Sequence, residues 1–135
     1  MKEQKKVLLI TGSPKAQSTS ASLGAYLLSG MWDKGSEVAV VQVNKILKSD
    51  EALEETLDAV NKSDVLVMAF PLYVDAVPFP MVKLMEAIAE RRKDVPNLRR
   101  PRMLAIVNCG FPEAYHNDTA LAICRRFAKE AGIDW

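Results

Sequence analysis

The chain has 135 residues, of which 49% are hydrophobic and 26% are charged, and its formal net charge is +1. These values are ordinary for one compact domain with a hydrophobic core. The small net charge excludes a strong electrostatic attraction to nucleic acid or to an anionic membrane surface. Two cysteines and one histidine are too few for a disulfide framework, a zinc site or an iron–sulfur cluster.

The first six residues, MKEQKK, are mostly charged and lead directly into an apolar run. They lack the apolar stretch of a secretory signal, and the chain has no run of about 18 apolar residues that could cross a membrane. We therefore expect a cytoplasmic protein that does not interact with membranes.

The first predicted element is a strand over residues 7–12, followed by the polar loop TGSPKAQSTS at 11–20. Gly12 allows close approach to the backbone, and the start of the next helix offers free N–H groups that suit a phosphate. The loop lacks the second glycine and the lysine of a triphosphate loop. It therefore favours a monophosphate ester held without a metal, and the alternative is that its hydroxyls only cap the helix in an exposed loop.

The next elements continue an alternation of helix and strand. Apolar residues recur at four-residue spacing between Ser20 and Asp33 and predict a helix. The run at 37–43 predicts a strand near a sheet edge, because it keeps polar Glu37 and Gln42. A second helix follows, with Asp50 as its expected N-cap.

The third strand, predicted over 64–71, leads into an unusually apolar loop, FPLYVDAVPFP, at 70–80. Its prolines stiffen the backbone, and Tyr73 with its aliphatic neighbours offers a wall for a flat ring. The alternative is that the aromatic residues pack onto helices or onto a subunit interface.

The helix predicted over 80–93 ends in a basic cluster. Arg91, Arg92 and Lys93 lie near Arg99 and Arg100 in sequence, and Arg102 follows. We interpret this cluster as cations near a helix C-terminus followed by a solvated connection, rather than as a binding surface.

The fourth strand, predicted over 102–110, leads into the loop VNCGFPEAYHND at 107–118. Gly110 again permits close backbone approach, and amides of this loop could bond the edge of a ligand. We interpret His116 as a surface or capping residue and Cys109 as a small buried hydrophobic residue. No arrangement typical of hydrolysis is present, and no catalytic side chain is predicted.

The last helix is expected to begin at Asn117 or Asp118 and to end at Gly132, and the residues IDW after it look like the start of a fifth strand. Strands that alternate with helices four times predict right-handed βαβ units, which form a parallel α/β sheet with helices on both faces.

Three motifs together resemble the flavodoxin-like NAD(P)H-dependent FMN reductase family. They are GSPK at 12–15 with Ser18 and Ser20, PLY at 71–73, and NCGFP from Asn108. The resemblance covers residues 7–132, with Lys15 where the family usually has arginine and Ser20 where threonine is common. It implies a single flavodoxin-like domain over 1–135, a doubly wound sheet of order 2-1-3-4, and a fifth strand that is missing or truncated at the C-terminal end.

The resemblance also implies a cofactor and a reaction. FMN would be the cofactor, NAD(P)H the co-substrate and hydride donor, and a quinone, flavin or other small molecule the acceptor, in a homodimer. The implied roles are phosphate binding by the first motif and contact with the ribityl chain and ring by the other two. The implied cofactor-binding residues are Gly12, Ser13, Lys15, Ser18, Thr19, Ser20, Pro71, Leu72, Tyr73, Val74, Asn108, Cys109 and Gly110.

Two other functions stay open at this point. The first is an electron carrier that binds FMN without nicotinamide activity, although such carriers are usually strongly acidic and this chain is not. The second is a shortened, non-catalytic domain that serves as an interaction module.

Overall fold

The computed structural model describes residues 5–12, 26, 36–72, 77–108 and 117–135. Within them each strand after the first is followed by at least one helix, as predicted for this part of the chain. The strands are β1 (Lys6–Thr11), β2 (Glu37–Gln42), β3 (Val65–Pro71) and β4 (Arg102–Asn108). The helices are α1 (Val43–Ile46), α2 (Asp50–Lys62), α3 (Phe79–Arg92) and α4 (Asp118–Ala131).

The four strands form one parallel sheet in the order β2-β1-β3-β4. This order and the α/β fold confirm the prediction. β3 lies inside the sheet and is buried at six successive positions, as its continuous apolar sequence requires. β2 lies at one edge and is exposed over its first four residues, as its polar positions indicated.

One face of the sheet carries the main core. Side chains from the strands, such as Ile10, Met68 and Phe70, are completely buried there. α2, α3 and α4 all contribute to this cluster, for example through Val60, Leu84 and Cys124. The other face has a separate cluster made of Val7, Leu9, Val65, Val67 and Ala69, which contains strand residues only. The helix predicted between Ser20 and Asp33 lies outside the described residues, apart from the exposed Tyr26, which has helical backbone.

Two helices differ from the sequence prediction. The N-cap of α2 is Ser49 and not Asp50, because the Ser49 hydroxyl accepts the N–H of Ala52 at 3.1 Å. Asp50 is the first helical residue instead. The short helix α1 was not predicted, since four residues do not show a period.

The end of α4 agrees with the prediction. Gly132 takes the left-handed conformation with φ of 69°, which glycine adopts without strain. Ile133 then donates its N–H to Ala128 O at 2.8 Å, so the chain turns back toward the sheet.

Asp134 makes an isolated parallel bridge beside β4. The N–H of Met103 donates to Asp134 O at 2.7 Å, and the N–H of Asp134 donates to Pro101 O at 3.0 Å. This bridge has the position and direction that the predicted start of a fifth strand requires.

Three arginines of the basic cluster near the end of α3 pair with acidic side chains. Arg91 donates to the carboxylate of Glu54 on α2, and Arg99 and Arg100 pair with Asp64 and Asp134 at 3.0 and 2.9 Å. These contacts support the interpretation of Arg91, Arg99 and Arg100 as ordinary helix-end and loop cations, whereas Arg92 is buried and departs from it.

Candidate functional site

The order of the strands defines where a site would lie. The chain passes from β1 to β2 on one side and then to β3 on the other, so the strand order reverses between β1 and β3. In open parallel sheets, ligands bind beyond the carboxyl ends of the strands at such a reversal. Gly12 directly follows β1, and Leu72 directly follows β3.

Hydrogen bonds bring four of the predicted site residues to this edge of the sheet. Gly12 donates its N–H to Ala69 O at 2.8 Å, which holds the end of β1 against β3. Leu72 donates its N–H to Asn108 O at 2.9 Å, and Pro71 lies opposite Asn108 in the ladder. Gly12, Pro71, Leu72 and Asn108 therefore lie along three adjacent strand ends.

Gly12 is required by packing. A Cβ atom at this position would lie 2.7 Å from Phe70 Cβ and 2.9 Å from Met81 Cε. Phe70 Cβ cannot move away without the strand, so no larger residue fits without a backbone shift. Because the Gly12 N–H already donates to Ala69, any N–H groups that bind a phosphate in this loop must follow Gly12 in the chain.

The three other residues form an uncharged, partly accessible surface. Ala69 and Phe70 are completely buried, whereas Pro71, Leu72 and Asn108 are half-buried. Two apolar side chains and one amide at the end of a sheet suit a flat, neutral ring with hydrogen-bonding groups at its edge. The described part of the edge therefore fits the ring of a flavin. None of these three side chains is ionisable.

The remaining predicted residues lie outside the described part of the chain, and their roles stay predictions. They are Ser13, Lys15, Ser18, Thr19, Ser20, Tyr73, Val74, Cys109 and Gly110. His116 also lies outside it. The proximity of Met81 to the Gly12 position was not predicted from the sequence.

The described ranges offer neither a cluster of metal ligands nor a membrane-spanning helix. No group of three or more histidine, cysteine, aspartate or glutamate residues there could hold a metal ion. No helix among them is long and apolar enough to span a membrane. Cys124 is buried, and burial raises the pKa of its thiol to about 12, so it is a poor nucleophile at neutral pH.

Sequence comparison connects almost the whole chain to one family model. The model, described as a flavodoxin-like fold, matches residues 5–131. No curated protein matches the chain.

Three solved structures show the same fold at low sequence identity. An NADH:FMN oxidoreductase in its apo form is 21% identical, with a TM-score of 0.70, and the match covers 96% of this chain and 71% of that one. An FMN-dependent NADH-azoreductase from Bacillus anthracis, in complex with FMN, is 15% identical with a TM-score of 0.65, over 96% and 83% of the two chains. An NADPH-quinone reductase from P. pentosaceus is 12% identical with a TM-score of 0.68, over 97% and 80%.

Proposed function

The chain belongs to the flavodoxin-like fold family, and we propose that it binds FMN at the carboxyl edge of its sheet and acts as an NAD(P)H-dependent oxidoreductase. The observation that carries this proposal is the meeting of Gly12, Leu72 and Asn108 at the reversal of strand order. The similarity to an NADH:FMN oxidoreductase, an azoreductase and a quinone reductase supports it.

The described residues would hold the ring part of the cofactor. Pro71 and Leu72 would provide an apolar surface against the ring and exclude water from that side. The side-chain amide of Asn108 would orient the polar edge of the ring, while its backbone carbonyl continues to fix Leu72. When bound, FMN would supply the group that accepts a hydride from NAD(P)H and passes two electrons to a small acceptor.

The phosphate end of the cofactor is assigned to the loop after β1. We propose that Ser13, Ser18 and Ser20 donate hydroxyl hydrogen bonds to the phosphate. Lys15 and Thr19, in the same loop, would also take part in binding the cofactor. We also assign Tyr73 and Val74 to the ring, and Cys109 and Gly110 to its far side. These assignments rest on the motifs and on the position of Gly12 and Leu72.

The proposal includes a homodimer, a cytoplasmic location and a quinone, flavin or other small molecule as acceptor. It assigns no side-chain acid or base, since the bound cofactor would supply the redox chemistry. The near-neutral charge of the chain favours an enzyme over an electron carrier, because a carrier generally docks through a strongly charged surface.

The visible spectrum of the purified protein, before and after addition of FMN, tests the proposal. We expect flavin absorption bands that bleach when NADH or NADPH is added without oxygen. A yellow protein that neither nucleotide bleaches would favour the electron carrier. A colourless protein that does not take up FMN would favour the third function, a non-catalytic interaction module.

The phosphate assignment has its own test. Replacing Ser13 and Ser18 by alanine should weaken FMN binding at least about tenfold, since each lost hydrogen bond to a charged group costs about 1.5–3 kcal/mol. Ser36→Ala is a matched control, because Ser36 precedes β2 at the opposite end of the sheet. Unchanged affinity in the double variant, measured by fluorescence titration, would place the phosphate elsewhere.

A further inference from the structure

β2 is an outermost strand with exposed apolar side chains. The chain leaves β2 through α1 and α2 and returns to the sheet at β3, on the other side of β1. No described strand pairs with the outer side of β2. Val38 and Val40 are 44% and 58% exposed, and Ala39 between them is exposed as well. Soluble proteins usually protect such an edge, because it can pair with another strand.

The hydrogen bonds show which backbone groups of β2 face outward. The N–H of Glu37 donates to Lys5 O at 2.8 Å, so Glu37 bonds toward β1. Because the bonding direction alternates along a strand, Ala39 also bonds toward β1, whereas Val38 and Val40 point their N–H and C=O groups outward. A strand added beside β2 would bond to these two valines.

Two hollows lie between β2 and α2, one near each end of the strand, and both are bordered by charges of both signs. Glu37, Lys6 and Lys62 border the first hollow, near the start of β2. Lys45 and Glu55 border the second hollow, near the end of β2. All five side chains are exposed, and none takes part in an ion pair within the described part of the chain. These charges are therefore free to meet a partner.

We propose that β2 pairs with β2 of a second copy of this chain, antiparallel and centred on Ala39. Val38 of each copy then exchanges two backbone hydrogen bonds with Val40 of the other, so both outward residues are used. The exposed valine side chains of the two copies lie side by side on one face of the joined sheet. They thereby cover part of each other's apolar surface.

The charge beside the strand identifies the partner as a second copy. A two-fold axis at Ala39 places Glu37 opposite Val41 of the other copy. Val41 borders the second hollow together with Lys45. Glu37 of each copy therefore lies next to Lys45 of the other, and the two opposite charges attract.

The same axis pairs the charges of α2. Ala39 borders the first hollow with Lys62, and Val40 borders the second with Glu55, so Ala39 lies level with the part of α2 between Glu55 and Lys62. The axis at Ala39 brings Glu55 of one copy to the level of Lys62 of the other. Moving the centre by one residue would shift the two copies by two residues, about 7 Å, and separate these charges. A partner with charges of one sign would be repelled at one of the two hollows.

The proposed contact consists of two short strands and exposed charges. Since such a contact is small, we expect an association that depends on protein concentration. It does not involve Gly12, Leu72 or Asn108, so the proposal does not depend on flavin binding.

Disulfide cross-linking tests the pairing directly. Ala39 forms a non-hydrogen-bonded pair with its own copy, and Cα atoms of such pairs lie about 4.5 Å apart, within disulfide range. In a protein with Cys109→Ser and Cys124→Ala, we expect Ala39→Cys to form a covalent dimer on mild oxidation. Val95→Cys, which is exposed in the segment before β4, is the control and should stay monomeric on denaturing gels.

Charge reversal tests the pairing without a disulfide. Glu55→Lys turns the contact with Lys62 into a like-charge pair, so we expect the association seen by sedimentation to weaken about three- to thirtyfold, since two exposed ion pairs are lost per dimer. Adding Lys62→Glu restores opposite charges and should recover the association. Glu86→Lys, exposed on α3, makes the same change in net charge and should leave it intact. Cross-linking of Ala39→Cys no greater than that of Val95→Cys, or a double variant that associates no better than Glu55→Lys alone, would overturn the proposal.

Discussion

The thiol of Cys124 lies on the buried side of α4, in contact with the main core. Water does not reach it, so the thiolate is disfavoured and the pKa of the thiol rises to about 12. In the unfolded chain the same thiol has an ordinary pKa near 8.5. Folding therefore favours the protonated thiol. The stability that the buried, protonated thiol contributes is complete below the unfolded pKa of about 8.5 and is lost as the pH rises toward 12.

We expect this effect to appear as a pH-dependent difference between two proteins. With Cys109→Ser in both, the protein with Cys124 should lose stability relative to Cys124→Ala by about 1.4 kcal/mol per pH unit between roughly pH 9 and pH 12. Urea unfolding at pH 8 and at about pH 10.5 measures the difference, and groups that titrate in both proteins cancel. Parallel changes in the two proteins would show that the thiol is accessible in the native state.

At the scale of one helix, the start of α2 shows how an N-cap is chosen. Both Ser49 and Asp50 are common capping residues, and the sequence alone favoured Asp50. In the structure Ser49 has the extended backbone of a cap, and its hydroxyl accepts from Ala52. Asp50 then lies in the first turn, where its charge interacts with the helix dipole.

These two roles predict unequal costs. Ser49→Ala should lower the free energy of unfolding by about 1 kcal/mol, because it leaves one N–H of the first turn without its partner. Asp50→Ala should cost only about 0.3–1 kcal/mol and its effect should diminish in salt, since it removes an exposed charge near the helix end. Urea unfolding of both variants at low and high salt checks this. A larger, salt-independent loss of stability in Asp50→Ala would show that Asp50 is the N-cap.

The sequence predicts best those features that have one clear local cause. The apolar run of β3 and the glycine at the end of α4 each have one local cause, and both lie where predicted. α1 has only four residues and no period, so it could not be recognised. The edge position of β2 followed from Glu37 and Gln42 alone.

The candidate site was predictable for a topological reason. In a parallel sheet the residues after successive strands must meet at one edge. The sequence alone therefore predicts that Gly12, Leu72 and Asn108 lie close together. The packing of Met81 against the Gly12 position depends on how α3 lies on the sheet. A one-dimensional pattern shows that Met81 faces inward, and it does not show which loop it contacts.

Across the whole molecule, one buried arginine connects segments that are distant in sequence. Arg92, at the end of α3, donates to Asn61 Oδ1 on α2 at 2.8 Å and to Ala131 O on α4 at 2.7 Å. It also donates to the carbonyls of Arg99 and Gly132 at 2.6 and 3.3 Å. Burial lowers the pKa of its guanidinium, with a further effect from Arg100, and the side chain stays charged at neutral pH.

Removing these donors should destabilise the whole fold. Arg92→Met keeps much of the volume but leaves buried carbonyl groups without hydrogen bonds, and we expect it to lower the free energy of unfolding by about 2–4 kcal/mol. Arg92→Lys should recover only part of this, because a single ammonium cannot reach acceptors in several directions. Lys93→Met, at the exposed neighbouring position, should change stability by less than about 0.5 kcal/mol. Urea unfolding measures all three variants. Equal losses of stability in Arg92→Met and Lys93→Met would mean that water takes over the hydrogen bonds of the guanidinium.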